Sequence, residues 1–328
     1  MRILVAGIGS IGVRHAKNLL SLGYTDIALV TSKERLEQGV DHLVKYRTIE
    51  EGLMSNSFDT AFVCTPTSAH KNVLSKLLEH NVKNIYVEKP VSNNLDGLAG
   101  LFNMATDINA RVCIGYDLRF DPGLQKVKLT IASGKYGKPL SVNAVVGQYL
   151  PDWRPYEDYT QGTSAKKETG GGVLLDLIHE FDYLYWLFGK VEYVAAHYTS
   201  GEALKIETEE IAEVLLKFES TIIGTVHLDY LQPNLVRYCL ITCSKGSIYW
   251  DMASKSVTCV DHLKESNSFS YHEFDRNDRF ILAIKTFLEQ PADERLTSFK
   301  DGLESLKMVL AAKQSSSEKK YIKPNSIT

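Results

Sequence analysis

Gly7-Ile8-Gly9-Ser10-Ile11-Gly12 follows the apolar run Ile3–Ala6 and opens a helical pattern. In G-x-G-x-x-G each glycine has a physical task. The first permits a tight turn, the second lets a pyrophosphate approach bare backbone, and the third lets helix and strand pack closely. The helix behind the turn offers N–H groups and its positive dipole end to phosphates. Gly7, Gly9, Ser10, Ile11 and Gly12 are therefore expected to hold a dinucleotide; the alternative is a glycine-rich turn without a ligand. Arg14 and His15, in the first helical turn, either reach the pyrophosphate or form a solvated face.

The tip of the second strand discriminates between two dinucleotides. A carboxylate there accepts hydrogen bonds from the ribose hydroxyls of NAD, whereas hydroxyls and cations suit the 2′-phosphate of NADP. The sequence reads Val30-Thr31-Ser32-Lys33-Glu34-Arg35. Thr31, Ser32, Lys33 and Arg35 predict NADP in preference to NAD. Glu34 turned inward would reverse that choice, and Lys33 and Arg35 can equally be a solvated helix start.

Lys89 follows the apolar run of residues 84–87 and precedes Pro90. Proline removes a donor, ends the strand and holds the residue before it in extended geometry. Open parallel sheets bind ligands outside the carboxyl ends of their strands, where Lys89 lies. Asp176 and His179 follow Gly170-Gly171-Gly172, and their spacing predicts one helix face for both. Oxidising a secondary alcohol needs a base for the hydroxyl proton and a hydride acceptor; the reverse needs an acid beside the carbonyl. Lys89 can be the base, or His179 can with Lys89 as polarising cation, and Asp176 can orient either. Each also has a plain reading: a solvated strand-end lysine, a first-turn acid, a satisfied core histidine.

The elements that must position these residues change rhythm along the chain. Ile3–Ala6, Ile27–Val30, residues 60–64, residues 84–87 and Arg111–Gly115 are short apolar runs separated by helical patterns. Such alternation predicts a Rossmann-type α/β domain with a parallel sheet, spanning residues 1–120. From residue 121 a helix (126–133) and a strand (140–146) precede a loop over 149–169. Strand-like runs then follow with short turns, among them 211–218, 221–230, 238–243 and 247–250. Residues 121–328 are expected to form an α+β domain with a large open, mostly antiparallel sheet, closed by helices near 278–289 and 300–313. The polar tail from Ser315 is expected to fray, apart from a short strand near Tyr321-Ile322.

Composition narrows the function classes. Of 328 residues, 44% are hydrophobic and 23% charged, which is ordinary for a globular protein. The net charge of −3 leaves no basic excess for phosphate backbones, so no nucleic-acid partner is expected. No apolar run is long enough to span a bilayer. The five scattered cysteines read as reduced thiols in strands, which suits the cytoplasm, and Cys239 and Cys243 lack the second pair a zinc site needs. No metal is expected.

The glycine turn, Cys64-Thr65-Pro66-Thr67-Ser68-Ala69-His70, Tyr86-Val87-Glu88-Lys89-Pro90 and Gly170-Gly171-Gly172-Val173-Leu174-Leu175-Asp176-Leu177-Ile178-His179 together resemble the glucose–fructose oxidoreductase/inositol dehydrogenase (Gfo/Idh/MocA) family over nearly the whole chain. The resemblance implies a two-domain NAD(P)-dependent enzyme moving hydride between a nicotinamide ring and a carbinol carbon of a sugar or cyclitol. It implies that Lys89, Asp176 and His179 are catalytic and that the Lys89–Pro90 bond is cis. One departure is that many members place the histidine four residues after the aspartate, against three here. Thr65 and Pro66 would line the nicotinamide ribose, and Glu88 would lie near the nicotinamide side. His70 matches the family's histidine on the following helix, with capping or packing as the alternative.

Tyr116-Asp117-Leu118-Arg119-Phe120 resembles the family's aromatic/Asn-x-x-Arg-Phe segment, which offers Tyr116 and Arg119 for substrate or, for the arginine, a structural place at the domain junction. In the loop from Tyr149 to Tyr159, aromatic faces suit sugar rings, and Trp153, Arg154 and Tyr156 are substrate candidates. Lys166 and Lys167 would add charge for an anionic substrate; the alternative is a loop that packs on a neighbouring subunit. This loop running into the glycine triplet resembles members found with bacterial surface-polysaccharide pathways. In the family the free face of the second sheet pairs with another subunit, so a homodimer or homotetramer is expected. Two other readings stay open: a nicotinamide-binding regulator without chemistry, and a same-fold enzyme that uses the nicotinamide transiently for elimination or glycoside cleavage.

Overall fold

The computed structural model describes residues 1–327. In chain order the first elements are β1 (Ile3–Ala6), α1 (Ser10–Ser21), β2 (Ile27–Val30), β3 (Val44–Tyr46), α2 (Ile49–Ser55), β4 (Thr60–Val63), α3 (His70–Glu79), β5 (Asn84–Glu88), α4 (Leu98–Asp107) and β6 (Arg111–Gly115). There follow α5 (Pro122–Ala132), β7 (Pro139–Gly147), α6 (Val173–Asp176), α7 (His179–Phe188), β8 (Val191–Ser200), β9 (Glu209–Phe218), β10 (Ile223–Asp229) and β11 (Val236–Cys243). The rest are β12 (Gly246–Asp251), β13 (Ser256–Asp261), β14 (Ser266–Ser270), α8 (Arg276–Glu289), β15 (Thr297–Ser298) and α9 (Phe299–Glu318). The chain forms two compact units, Met1–Asp117 with Arg276–Leu303, and residues 118–275 with the segment from Glu304 onward.

The first unit is a Rossmann-type sheet in the order β15-β6-β5-β4-β1-β2-β3. All neighbours are parallel except β15, which pairs antiparallel with β6. Every residue of β1 and β4 is buried, as expected of strands covered on both faces. Its core holds Ile3, Val5, Leu19, Leu29 and Phe62 together with Ile284 and Phe287 of α8. Those two side chains explain why residues 276–303, expected in the second domain, group with the first unit. Thr297 also pairs with Ile114 in the sheet.

The second unit is an eight-stranded sheet in the order β14-β13-β12-β11-β7-β10-β9-β8, antiparallel throughout except for β7 and β10. Along β9, Ala212, Val214, Leu216 and Phe218 are buried, while Glu213 and Leu215 are exposed. That alternation is the mark of a sheet with one covered face. The loop over 149–169 is not featureless: it contains four 3₁₀ turns, the first at Leu150–Trp153.

Two local expectations need correction. Asp176 and His179 do not share a helix: α6 ends at Asp176 and α7 begins at His179. Leu177 sits at φ −100°, ψ 27°, off the helical values, so the hydrogen-bond ladder breaks there. The tail is also ordered further than its polarity suggests. Helix α9 runs to Glu318, and Ile322 exchanges both backbone hydrogen bonds with Val194, as the expected short strand would. Among the described residues no helix is long and apolar enough to cross a membrane.

Candidate active site

The glycine turn has the shape its spacing predicts. Gly7 lies at φ +93°, a region that penalises a side chain. A Cβ on Gly12 would run into the Gly7 carbonyl oxygen, so helix α1 can pack this close only with glycine there. A Cβ on Gly9 would meet nothing within 4 Å, which leaves bare backbone open to a ligand. Gly9 is the N-cap of α1 and supplies no side-chain acceptor to the helix end. An anion is the natural partner for such an end. These features fit a dinucleotide pyrophosphate over Gly7, Gly9, Ser10, Ile11 and Gly12.

Beyond β2, the Thr31 hydroxyl accepts the Lys33 N–H at 3.1 Å. Ser32, Lys33, Glu34 and Arg35 are all exposed, and the Glu34 carbonyl accepts from Lys45 at 2.9 Å. The edge thus presents two hydroxyls, two cations and the Glu34 carboxylate, all but Thr31 exposed.

At the carboxyl ends of β4 and β5, one histidine meets backbone carbonyls and another meets the Glu88 side chain. His70, buried at the start of α3, lies with Nδ1 2.8 Å from the Pro90 carbonyl and Nε2 2.8 Å from the Thr65 carbonyl. Burial pushes its pKa below the usual histidine value, so the neutral ring donates to one of these two carbonyls and packs its other nitrogen against the second, between the Thr65-Pro66 turn and Lys89-Pro90. The Lys89–Pro90 bond is cis. Lys89 is half-buried, and its N–H reaches Glu88 Oε2 at 3.3 Å. Glu88 Oε1 lies 2.6 Å from His15 Nε2. His15 is therefore neither at the pyrophosphate nor solvated; it is fully buried among Phe62, Tyr86 and Phe280. Tyr116, just after β6, is likewise buried in this unit.

The second unit holds the other candidates. Asp176 Oδ2 accepts a hydrogen bond from the Tyr230 hydroxyl at 2.7 Å. The Tyr230 ring stands edge-on to Trp153, with centroids 5.4 Å apart and planes at 88°. Burial, followed by the charge of Asp176, pushes the Tyr230 hydroxyl well above the usual tyrosine value, so it remains a donor. Tyr230 was not legible as a site residue; it closes one strand-like run among several. Gly172, at φ +104°, begins α6 where a Cβ would strike the Glu209 carboxylate. His179 is 8% exposed at the start of α7. Arg119 grips Asp182 of α7 with two bonds, at 2.9 and 2.7 Å, both partners buried. Arg154 lies 3.8 Å from Glu157, and Tyr156 is 77% exposed.

Lys89 belongs to the first unit, and Asp176 and His179 to the second. Chemically, the first carries an ammonium and a glycine turn at the carboxyl ends of its parallel strands, and the second a carboxylate hydrogen-bonded by a phenol whose ring meets Trp153.

Comparison with known proteins fits this division. Residues 1–116 match a family described as an oxidoreductase family with an NAD-binding Rossmann fold, and residues 124–249 match the GFO/IDH/MocA C-terminal domain. A myo-inositol 2-dehydrogenase of Thermotoga maritima is 26% identical, covering 98% of each chain. The structure of levoglucosan dehydrogenase in complex with NADH and levoglucosan superposes with a TM-score of 0.86 at 15% identity, covering 98% of this chain and 99% of that one. The WlbA dehydrogenase of Bordetella pertussis, in complex with NADH and UDP-GlcNAcA, gives 0.82 at 18% identity and 98% of each chain. With the glycine turn, the Glu88-Lys89-Pro90 strand end and the glycine-opened α6 all in place, this chain belongs to the Gfo/Idh/MocA family of oxidoreductases.

Proposed function

We propose that this oxidoreductase acts on a secondary hydroxyl of a sugar or cyclitol, with NADP preferred to NAD. One observation carries the reading. Lys89 stands at the carboxyl end of β5, on the same edge of the parallel sheet as the glycine turn after β1. When bound, the nicotinamide supplies the hydride acceptor or donor. The protein's own groups then manage the proton: Lys89 or His179 exchanges it with the substrate hydroxyl, and Asp176 orients whichever of the two carries it. Thr31, Ser32, Lys33 and Arg35 hold the adenosine 2′-phosphate.

The named substrates of the relatives support a polyhydroxylated ring. The WlbA complex with UDP-GlcNAcA is in keeping with a nucleotide-linked sugar, with Trp153, Arg154 and Tyr156 as contacts; a place in surface-polysaccharide metabolism rests on the resemblance of the 149–169 loop alone. The exposed Leu215, Ile223 and Leu240 on one sheet face favour a homodimer or homotetramer through that sheet. Five buried free cysteines suit the cytoplasm.

The test has two stages. Fluorescence titration with NADPH and NADH should favour NADPH. Absorbance of the reduced cofactor should then report turnover of myo-inositol, levoglucosan or UDP-GlcNAcA. Lys89→Ala should abolish that turnover and leave cofactor binding nearly intact. Unchanged turnover in this variant would sink the mechanism, and product formed without net change in reduced cofactor would favour transient use of the nicotinamide.

A further inference from the structure

We infer that Tyr230 is a positioning residue that orients the Asp176 carboxylate and couples it to the loop carrying Trp153. The inference rests on the reading of Asp176 as part of the active site.

Tyr230 is fully buried, and each part of it is committed. Its N–H donates to the Glu210 carbonyl at 2.9 Å, which anchors it to β9. Its carbonyl accepts the Leu150 N–H at 3.0 Å, at the start of the aromatic loop. Its ring takes the edge of Trp153, and its hydroxyl reaches Asp176. One residue thus bonds the loop through its backbone and the carboxylate through its side chain.

Its neighbours stiffen the arrangement. Asp229 Oδ1 accepts the N–H groups of Leu231 and Gln232, which fixes the turn just after Tyr230. The Glu210 carboxylate accepts three N–H groups, from Glu202, Ala203 and Leu204, each at 2.9 Å. The strand end that presents the phenol is therefore held on both sides. A carboxylate that orients a proton carrier must itself be fixed within a narrow angle, and a phenol on a rigid backbone does that. Because burial pushes the Tyr230 hydroxyl well above the usual tyrosine value, it stays protonated and available as a donor to Asp176.

The test is a double-mutant cycle of Tyr230→Phe and Asp176→Asn with the three substrates named above, alongside NADPH binding. Phenylalanine keeps the ring against Trp153 and removes only the hydroxyl. Losing a hydrogen bond to a charged group should lower kcat by about tenfold to a hundredfold. NADPH affinity should not change. In the Asp176→Asn background, Tyr230→Phe should cause no further loss, because its effect runs through the carboxylate. An equal loss in both backgrounds would mean a packing role and overturn the inference. Unchanged kcat in Tyr230→Phe would overturn it while leaving the oxidoreductase reading intact. Wild-type rates in Asp176→Asn would remove Asp176 from the site and overturn the inference together with the role given to Asp176, while the turnover itself would keep the oxidoreductase reading. If the wild type turns over none of the three substrates, crystal structures of wild type and Tyr230→Phe decide: a turned Asp176 carboxylate supports the inference, and an unmoved one overturns it.

Discussion

His15 Nε2 lies 2.6 Å from Glu88 Oε1, and this buried contact ties the helix behind the glycine turn to the strand end that carries Lys89. Room for it comes from Gly115, where a Cβ would press on Tyr86 and the Glu88 carboxyl. Replacing His15 by Ala removes the partner of a buried carboxyl oxygen and a ring packed on three aromatics. The polar loss alone should cost about 1–3 kcal/mol. Urea unfolding measures it, and a midpoint equal to wild type would show that the contact contributes nothing.

The three glycines should separate by experiment. Gly12→Ala forces a methyl group into the Gly7 carbonyl and should destabilise the first unit. Gly9→Ala puts its methyl group in open space and should leave the melting temperature nearly unchanged while weakening dinucleotide binding. Thermal melts and NADPH titration of both variants check this. Equal effects on stability would contradict the division of labour.

Arg119 and Asp182 form a bidentate pair with side-chain exposures of 3% and 1%. Asp182→Asn leaves the guanidinium buried opposite a neutral amide. Losing one partner of such a pair costs about 3–5 kcal/mol. The drop should appear in denaturant unfolding, and a loss below that of a typical surface substitution would mean that the pair is effectively solvated.

His227 bonds Asp229 at 2.9 Å and Glu213 at 2.6 Å across the sheet face, with His197 on β8 opposite Glu213. The Asp229 hydrogen bond, against the opposing effect of burial and with help from Glu213, pushes His227 from 6.5 up to about 9. Its folded pKa exceeds its unfolded one, so its stabilising contribution is full below about 6.5 and fades as pH rises through about 9. Wild type should therefore exceed His227→Gln in unfolding free energy most in mild acid. The gap should narrow toward alkaline pH. A constant gap would exclude the charged pair as its source.

The exposed cations after β2 give a cofactor prediction. The double variant Lys33→Ala, Arg35→Ala should raise the NADPH dissociation constant about tenfold or more, as expected for losing bonds between charged groups. NADH binding should stay as in wild type. Equal weakening of both would mean that these residues do not contact the 2′-phosphate.

Much of the site is written locally in the chain. The apolar run of β1, the glycine spacing after it and the Lys89-Pro90 pair at the end of β5 each act within a few residues. Sterics at Gly7 and Gly12, and the missing N–H of Pro90, act whatever lies elsewhere, so the sequence alone determined the Rossmann-type unit and its dinucleotide turn. Contacts between distant residues were decided only by the tertiary structure. His15 and Glu88 are 73 positions apart, and Asp176 and Tyr230 are 54 apart. No period or spacing announces such pairs, because they depend on which strands become neighbours. The return of α8 to the first unit and the break between Asp176 and His179 belong to the same class. Packing selected them: Ile284 and Phe287 fill the first core, and the buried Glu180 and Asp182 bind Arg237 and Arg119 to fix where α7 begins.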